Sequence, residues 1–191
     1  MKAFDDALAA ALNRRKPRVR PEWDARPAAV LIPLYEDDGQ WCALYTRRTD
    51  ELEAHRGQVS FPGGVLEPQD ENPLQAALRE AREEIGLVEE DAKILGQLDP
   101  LLTVTQFKII PFVAAIPWPY PLKVNPSEVA RAFGVPLEWL ADPDNLDIRK
   151  HQPFVPGPEI DVYYYKPFMD EIIWGATARL TLQLLEVVST F

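Results

Sequence analysis

Apolar positions along the 191-residue chain fall into helical and alternating rhythms that can be told apart segment by segment. Phe4, Leu8 and Leu12 recur every fourth residue, which predicts a short amphipathic helix over residues 4–12. Residues 28–35 and 41–46 are apolar enough for two buried strands, and Glu36-Asp37-Asp38-Gly39 between them reads as the turn of a hairpin. Residues 57–72, rich in glycine and proline, read as loop. The clearest helical pattern covers residues 73–85, where Leu74, Ala77, Leu78, Ala81 and Ile85 share one stripe at about 100° per residue. Asn72 can cap its first turn, Pro73 suits the first helical position, and Gly86 stands where a left-handed terminator is expected. Residues 94–98 and 109–116 read as strands, the second almost wholly apolar and therefore central in a sheet. A short helix is expected over residues 127–133, ended by Val135-Pro136-Leu137, then a last strand over 162–165 and a terminal helix over 177–188. Strands interleaved with a few helices in mixed order predict an α/β (α+β) sandwich. Nothing marks a boundary, so one domain over 1–191 is expected, with 1–27 a helix and basic linker before a core of 28–191.

Charge changes the picture by exclusion. Against 20 Lys and Arg stand 30 Asp and Glu, a formal net charge of −10, which disfavours long nucleic acid and anionic membrane as partners. A small phosphorylated ligand in a locally basic pocket remains compatible. The basic run Arg14, Arg15, Lys16, Arg18, Arg20 reads as a solvated linker in preference to a phosphate-contacting arm. Cys42 has no partner for an intrachain disulfide, and two histidines without a cysteine cluster give no zinc site. The longest uncharged apolar stretch, 109–122, is shorter than the ~18 residues of a membrane span and holds Pro111, Pro117, Pro119 and Pro121. No basic segment precedes an apolar one at the N-terminus, so a cytoplasmic location is expected. A homo-oligomer is left open.

The helix over 73–85 carries an uncomfortable face. Taking Leu74 as origin, Glu80, Glu83 and Glu84 share an arc of about 100°, and like charges one turn apart cost roughly 0.2–0.5 kcal/mol in an exposed helix. Arg79 can pair with Glu83 one turn on, which leaves Glu80 and Glu84 without a counter-charge. A hard divalent cation is the physical use for such a pair, because Mg²⁺ takes oxygen ligands from carboxylates and phosphates. Upstream, Phe61-Pro62-Gly63-Gly64 lets bare backbone approach the helix, where a carbonyl can serve as one more oxygen ligand.

Gly64, Asp70 and the run Arg79-Glu80-Ala81-Arg82-Glu83-Glu84-Ile85-Gly86-Leu87 together resemble the Nudix box, the signature of the Nudix hydrolase family. Asp70 stands where that pattern has Glu, eight residues rather than seven separate it from Arg79, and Ala81 occupies an aliphatic position. The lengthened box resembles the coenzyme A pyrophosphatase branch, as does Gly57-Gln58-Val59-Ser60-Phe61-Pro62-Gly63-Gly64 with Thr46, Arg47, Arg48, Leu52 and His55 before it. Leu98-Asp99-Pro100, Pro111-Phe112-Val113, Glu128-Val129 and Ile173-Trp174-Gly175-Ala176-Thr177-Ala178 extend the likeness toward the C-terminus.

The resemblance implies a Nudix-type α/β/α sandwich with a mixed β-sheet between helices, and Mg²⁺- or Mn²⁺-dependent hydrolysis of a small nucleotide substrate. By it, Glu80 and Glu84 are the chief metal ligands, Glu83 bridges a second metal or orients water, and the Gly64 carbonyl adds a ligand beside Gly63 in the substrate cleft. Arg79 holds Glu83, and Asp70 supports the loop–helix junction. The general base is left between Glu83 and Glu128. The branch implies coenzyme A or its derivatives as substrate, split to 3′,5′-ADP and 4′-phosphopantetheine; ADP-ribose or another nucleotide-linked pyrophosphate is the alternative, and a non-catalytic nucleotide-binding domain a further one. A 3′-phosphate calls for a basic side chain, with Arg47, Arg48 and Arg56 as candidates. Tyr163, Tyr164 and Trp118 could stack on adenine, although a strand or core position is the simpler role for each.

Overall fold

The apolar run after Asp24 becomes the strand around which the rest assembles. The structure, a computed structural model, describes residues 3–18, 24–50, 57–152 and 159–191. In chain order its elements are α1 (Phe4–Arg14), β1 (Arg26–Asp37), β2 (Gln40–Arg48), β3 (Val59–Ser60), β4 (Gly63–Val65), α2 (Pro73–Ile85) and β5 (Lys93–Gln97). They continue with β6 (Leu101–Leu102), β7 (Phe107–Ala115), β8 (Val129–Pro136), α3 (Leu137–Ala141), β9 (Leu146–His151), β10 (Ile160–Tyr165) and α4 (Gly175–Val188).

The main sheet runs β3-β2-β1-β7-β5, with β4 on β1, β6 on β7 and β8 on β2; β9 and β10 form a separate pair. It is mixed, since β1 and β7 run parallel and the other neighbours antiparallel. Strand period two divides the core. Ala29, Leu31 and Tyr35 of β1 and Leu44 of β2 face α2, whereas Ile32, Leu34, Ala43 and Tyr45 face α1 and α4. Helices on both faces make the expected α/β/α sandwich. No described helix is long and apolar enough to cross a membrane.

The hairpin forms as β1 and β2, and β7 lies inside the sheet between β1 and β5. α2 starts and stops where its end residues require: the Gln75 amide donates to Asn72 Oδ1 at 3.1 Å, and Gly86 closes the helix at φ 70°.

Two expectations fail. Residues 127–133 are not a helix; Val129–Pro136 is the strand β8, antiparallel to β2 with Phe133 opposite Tyr45. Val129, Phe133 and Val135 turn inward on strand alternation, and Gly134 leaves room for the Tyr35 hydroxyl, which a Cβ there would overlap. Val135-Pro136 therefore ends a strand, and Leu137 opens α3. Residues 57–72 are not all loop either, because β3 pairs with β2 and β4 with β1. The charged segment at β9, exposed along most of its length, gives β10 its partner.

Candidate active site

α2 lies on β1 and β4 with its carboxylates at the margin of that contact. Glu84 is only 2 % exposed. Carboxylate oxygens of Glu80, Glu84 and Glu128 all lie within 4.8 Å of one another. The Gly63 backbone amide hydrogen-bonds the Glu84 carboxylate, while Glu84 Oε2 is buried with no hydrogen-bond partner. An oxygen left unsatisfied in this way costs about 1–3 kcal/mol. Burial pushes the Glu84 carboxyl up to about 8, Glu80 and Glu128 add to the rise, and Arg48 opposes it. Glu80 is also raised, chiefly by burial, against the pull of Arg79. Three mutually repelling carboxylates around an orphaned oxygen form a hard, all-oxygen donor set, and a divalent cation fits it.

Glu128 arrives through the segment that closes α2. The amides of Lys123 and Asn125 donate to the carbonyls of Ile85 and Glu84, each at 2.9 Å, and so satisfy the helix end. Asn125 then holds a tight turn, accepting from the Ser127 hydroxyl at 2.7 Å and donating through Nδ2 to Glu128 Oε1 at 3.2 Å. Glu128 thus precedes a strand, not a short helix.

The two glycines of β4 are required by different neighbours. A Cβ on Gly63 would fall on the Ala29 carbonyl of β1, and one on Gly64 would run into the Glu80 carboxylate. Backbone therefore lies directly against the cluster.

Arg79 ties this loop to the helix. Its Nε and Nη2 meet Asp70 Oδ1 and Oδ2 at 3.0 and 3.1 Å, and Nη2 donates to the Val65 carbonyl at 3.3 Å. Asp70 has a side chain 4 % exposed and accepts from the Glu67 amide at 2.8 Å. The Arg79 guanidinium holds the Asp70 carboxyl below the usual carboxylate range. Arg79 Nη1 reaches Glu80 at 2.9 Å and Glu83 at 3.1 Å. Glu83, with a side chain 51 % exposed, stands on Arg79 and outside the three-carboxylate cluster.

The candidate arginines separate. Arg48 is close enough to Glu84 to lower its pKa, and its Nε is buried with no partner. Arg47 turns to the α4 side, where it pairs with Asp50 at 3.0 Å and Glu171 at 3.5 Å. Glu171 also faces Arg131 at 3.5 Å. Arg56, with Leu52 and His55, lies outside the described residues.

The pattern of the NUDIX domain matches residues 25–156. The chain belongs to the Nudix hydrolase family. It is 38 % identical over 166 residues to the uncharacterized Nudix hydrolase NudL of Photorhabdus laumondii, covering 85 % of each chain. With the uncharacterized Nudix hydrolase NudL of Pectobacterium atrosepticum it shares 33 % over 190 residues, 98 % of this chain and 95 % of the relative. The crystal structure of a MutT/nudix family protein from Enterococcus faecalis superposes with a TM-score of 0.60 at 14 % identity, over 98 % of this chain and 70 % of that one, a likeness of fold.

Within this Nudix hydrolase, Asn125 is the site residue that sequence reasoning missed. Its signal was present in Asn125-Pro126-Ser127, a turn sequence immediately before Glu128. Trp118, a candidate base-stacking residue, instead packs on Tyr35 with ring centroids 3.9 Å apart.

Proposed function

We propose that this Nudix hydrolase cleaves the pyrophosphate bond of coenzyme A or its acyl derivatives, giving 3′,5′-ADP and 4′-phosphopantetheine, with Mg²⁺ or Mn²⁺ held by Glu80 and Glu84. The reading is carried by the buried, partnerless Glu84 oxygen at the centre of three converging carboxylates. A divalent cation bound there neutralises diphosphate charge and lowers the pKa of a coordinated water.

The chain's own residues account for the remaining requirements. The Gly63 amide fixes the orientation of Glu84, and the side-chain-free Gly63-Gly64 backbone leaves space for a diphosphate. The Gly64 carbonyl offers one more oxygen. Asn125 holds one oxygen of Glu128, leaving the second to accept a proton from the attacking water. Water oxygen then bonds to one phosphorus, the bridging P–O bond breaks, and the bridging oxygen leaves with the other phosphate. Glu83 acts through Arg79, and Asp70 fixes Arg79 against Val65. Arg48, beside Glu84, suits the diphosphate rather than a remote 3′-phosphate.

Coenzyme A is favoured by the Gly57–Gly64 run and the lengthened box. The test is incubation with Mg²⁺ or Mn²⁺ and coenzyme A, its 3′-dephospho form, ADP-ribose or NADH, with products separated by chromatography. Fastest formation of 3′,5′-ADP and 4′-phosphopantetheine supports the proposal. Turnover led by ADP-ribose overturns the substrate and keeps the chemistry. No turnover with either metal leaves a nucleotide-binding domain.

A further inference from the structure

The two edges of the pair β9–β10 differ. The Tyr165 amide donates to the Ile173 carbonyl at 2.8 Å and Tyr164 is bridged to Trp174, so the segment before α4 covers the outer edge of β10. β9 pairs with β10 alone, and no described segment bonds the backbone along its other edge. Which residues turn to that edge follows from the ladder. Just beyond the strands, in the same register, the Lys166 amide donates to the Asn145 carbonyl at 2.8 Å. Opposed residues of an antiparallel ladder alternate between bonded and non-bonded pairs. Asp147, Arg149 and His151 therefore bond to β10, while Leu146, Ile148 and Lys150 direct their amides and carbonyls outward.

An open edge is a template for another strand, and charged side chains usually blunt it. The charges of β9 do not blunt it against a copy of itself. β9 is exposed from Asp147 to His151, with Ile148 at 59 %. An antiparallel copy turned about a two-fold axis at Ile148 sets Ile148 against Ile148, Asp147 against Arg149 and Leu146 against Lys150. The bonded pairs of that ladder are the residues whose backbone already faces outward. Asp147 and Arg149 fall in its non-bonded pairs, where opposed side chains come closest. Within one chain these two meet at 3.5 Å with both side chains more than half exposed, a weak pair that leaves each free to meet a second partner. Lys150 would meet a leucine, and its charge is matched inside its own chain by Asp161 at 2.6 Å. Ile148 stands opposite the half-buried Tyr163, so the two isoleucines continue an apolar row across the join.

We infer that β9 is the contact of a two-fold symmetric homodimer, in which a second copy of this chain adds its own β9 antiparallel, in register at Ile148, to give one four-stranded sheet. The signs of Asp147 and Arg149, complementary to themselves under the two-fold, single out a second copy as the occupant of the edge. The contact is closed, since it uses the same edge of both copies, so assembly stops at two. A contact of six residues on each side is small, and such dimers exchange with monomer.

Sedimentation equilibrium of the whole chain over roughly 1 μM to 1 mM tests it. Wild type should pass from monomer to dimer mass and no further. Ile148→Pro removes an outward amide and leaves the β9–β10 bonds in place; it should raise the dissociation constant at least roughly 10-fold, with a thermal melt as the check on folding. Arg149→Asp and Asp147→Arg each set like charges against one another across the axis, and each alone should weaken the dimer by at least as much. Mixed in equal amounts, these two variants should form a heterodimer close to wild type in strength, because every opposed pair is then of opposite sign. Both keep the acidic balance of the chain, so overall attraction does not account for that recovery. The mixing experiment stands even where proline disturbs the strand. A wild type that stays monomeric at the top of the range, dimers of wild-type strength in a folded Ile148→Pro, or a mixture of the charge variants that associates no better than either alone overturns the inference.

Discussion

The Glu80 carboxylate occupies the space that a side chain on Gly64 would need. A residue of a short edge strand and a residue of a helix are thereby matched in shape, and the match leaves backbone exposed to the metal site. Its neighbour Gly63 is required by a different contact, the Ala29 carbonyl of β1.

The two glycines should therefore fail differently. Gly64→Ala pushes on a side chain, so the protein should fold normally while the Mg²⁺ requirement rises and kcat/KM falls, roughly 10–100-fold as for groups that orient metal ligands. Gly63→Ala pushes on backbone and should lower Tm by several degrees, corresponding to about 1–3 kcal/mol of overpacking. Thermal melts and Mg²⁺ titrations of both variants check this; equal Tm losses would contradict it.

Glu84 sets a pH dependence of stability in chelator. Its folded-state pKa, raised from 4.5 to about 8, means the folded chain alone keeps this proton between those values. Folded protein then binds more protons than unfolded, so stability declines as pH rises through that window and levels off above it. Glu84→Gln removes this component, and its Tm should fall less than wild type between pH 5 and 8. Added Mg²⁺ should restore wild type most at the upper end, where the carboxylate is ionised. Parallel Tm–pH curves for the two proteins would contradict the assignment.

Arg47 and Arg48, adjacent in sequence, should separate in assay. Arg48→Ala should lower kcat/KM about 10-fold or more, the scale of a lost charge-assisted contact, and equally for coenzyme A and its 3′-dephospho form. Arg47→Ala leaves Glu171, 11 % exposed, with Arg131 alone; it should lower Tm and leave KM near wild type. An Arg48→Ala effect confined to coenzyme A would return Arg48 to the 3′-phosphate.

How far these features could be read in advance varied with the range of the interactions involved. α2 was legible because Asn72, Pro73, the apolar stripe and Gly86 all specify the same helix locally. β8 was not, because Val129 and Phe133 fit a helical spacing as well as an alternating one, and the partners that decide between them, Tyr45 and Tyr35, are far away in sequence. β9 escaped because Asp147, Arg149 and Lys150 face solvent and show no buried side. In the site, the box fixed Glu80 and Glu84 on one helix face, while the meeting of Glu128 with them depends on the Asn125–Glu84 backbone bond, between segments distant in sequence. The outward turn of Arg47 depends on Glu171, again a contact of distant segments.

Hydrolysis is proposed to depend on a cation held by Glu80 and Glu84, with the Glu128 carboxylate beside it. Free Mn²⁺ measured by electron paramagnetic resonance during titration of wild type, Glu84→Gln, Glu128→Gln and Glu83→Gln tests it most directly. The account predicts that the tightest site is lost in Glu84→Gln, weakened in Glu128→Gln and least affected in Glu83→Gln. Unchanged Mn²⁺ binding by Glu84→Gln would contradict it.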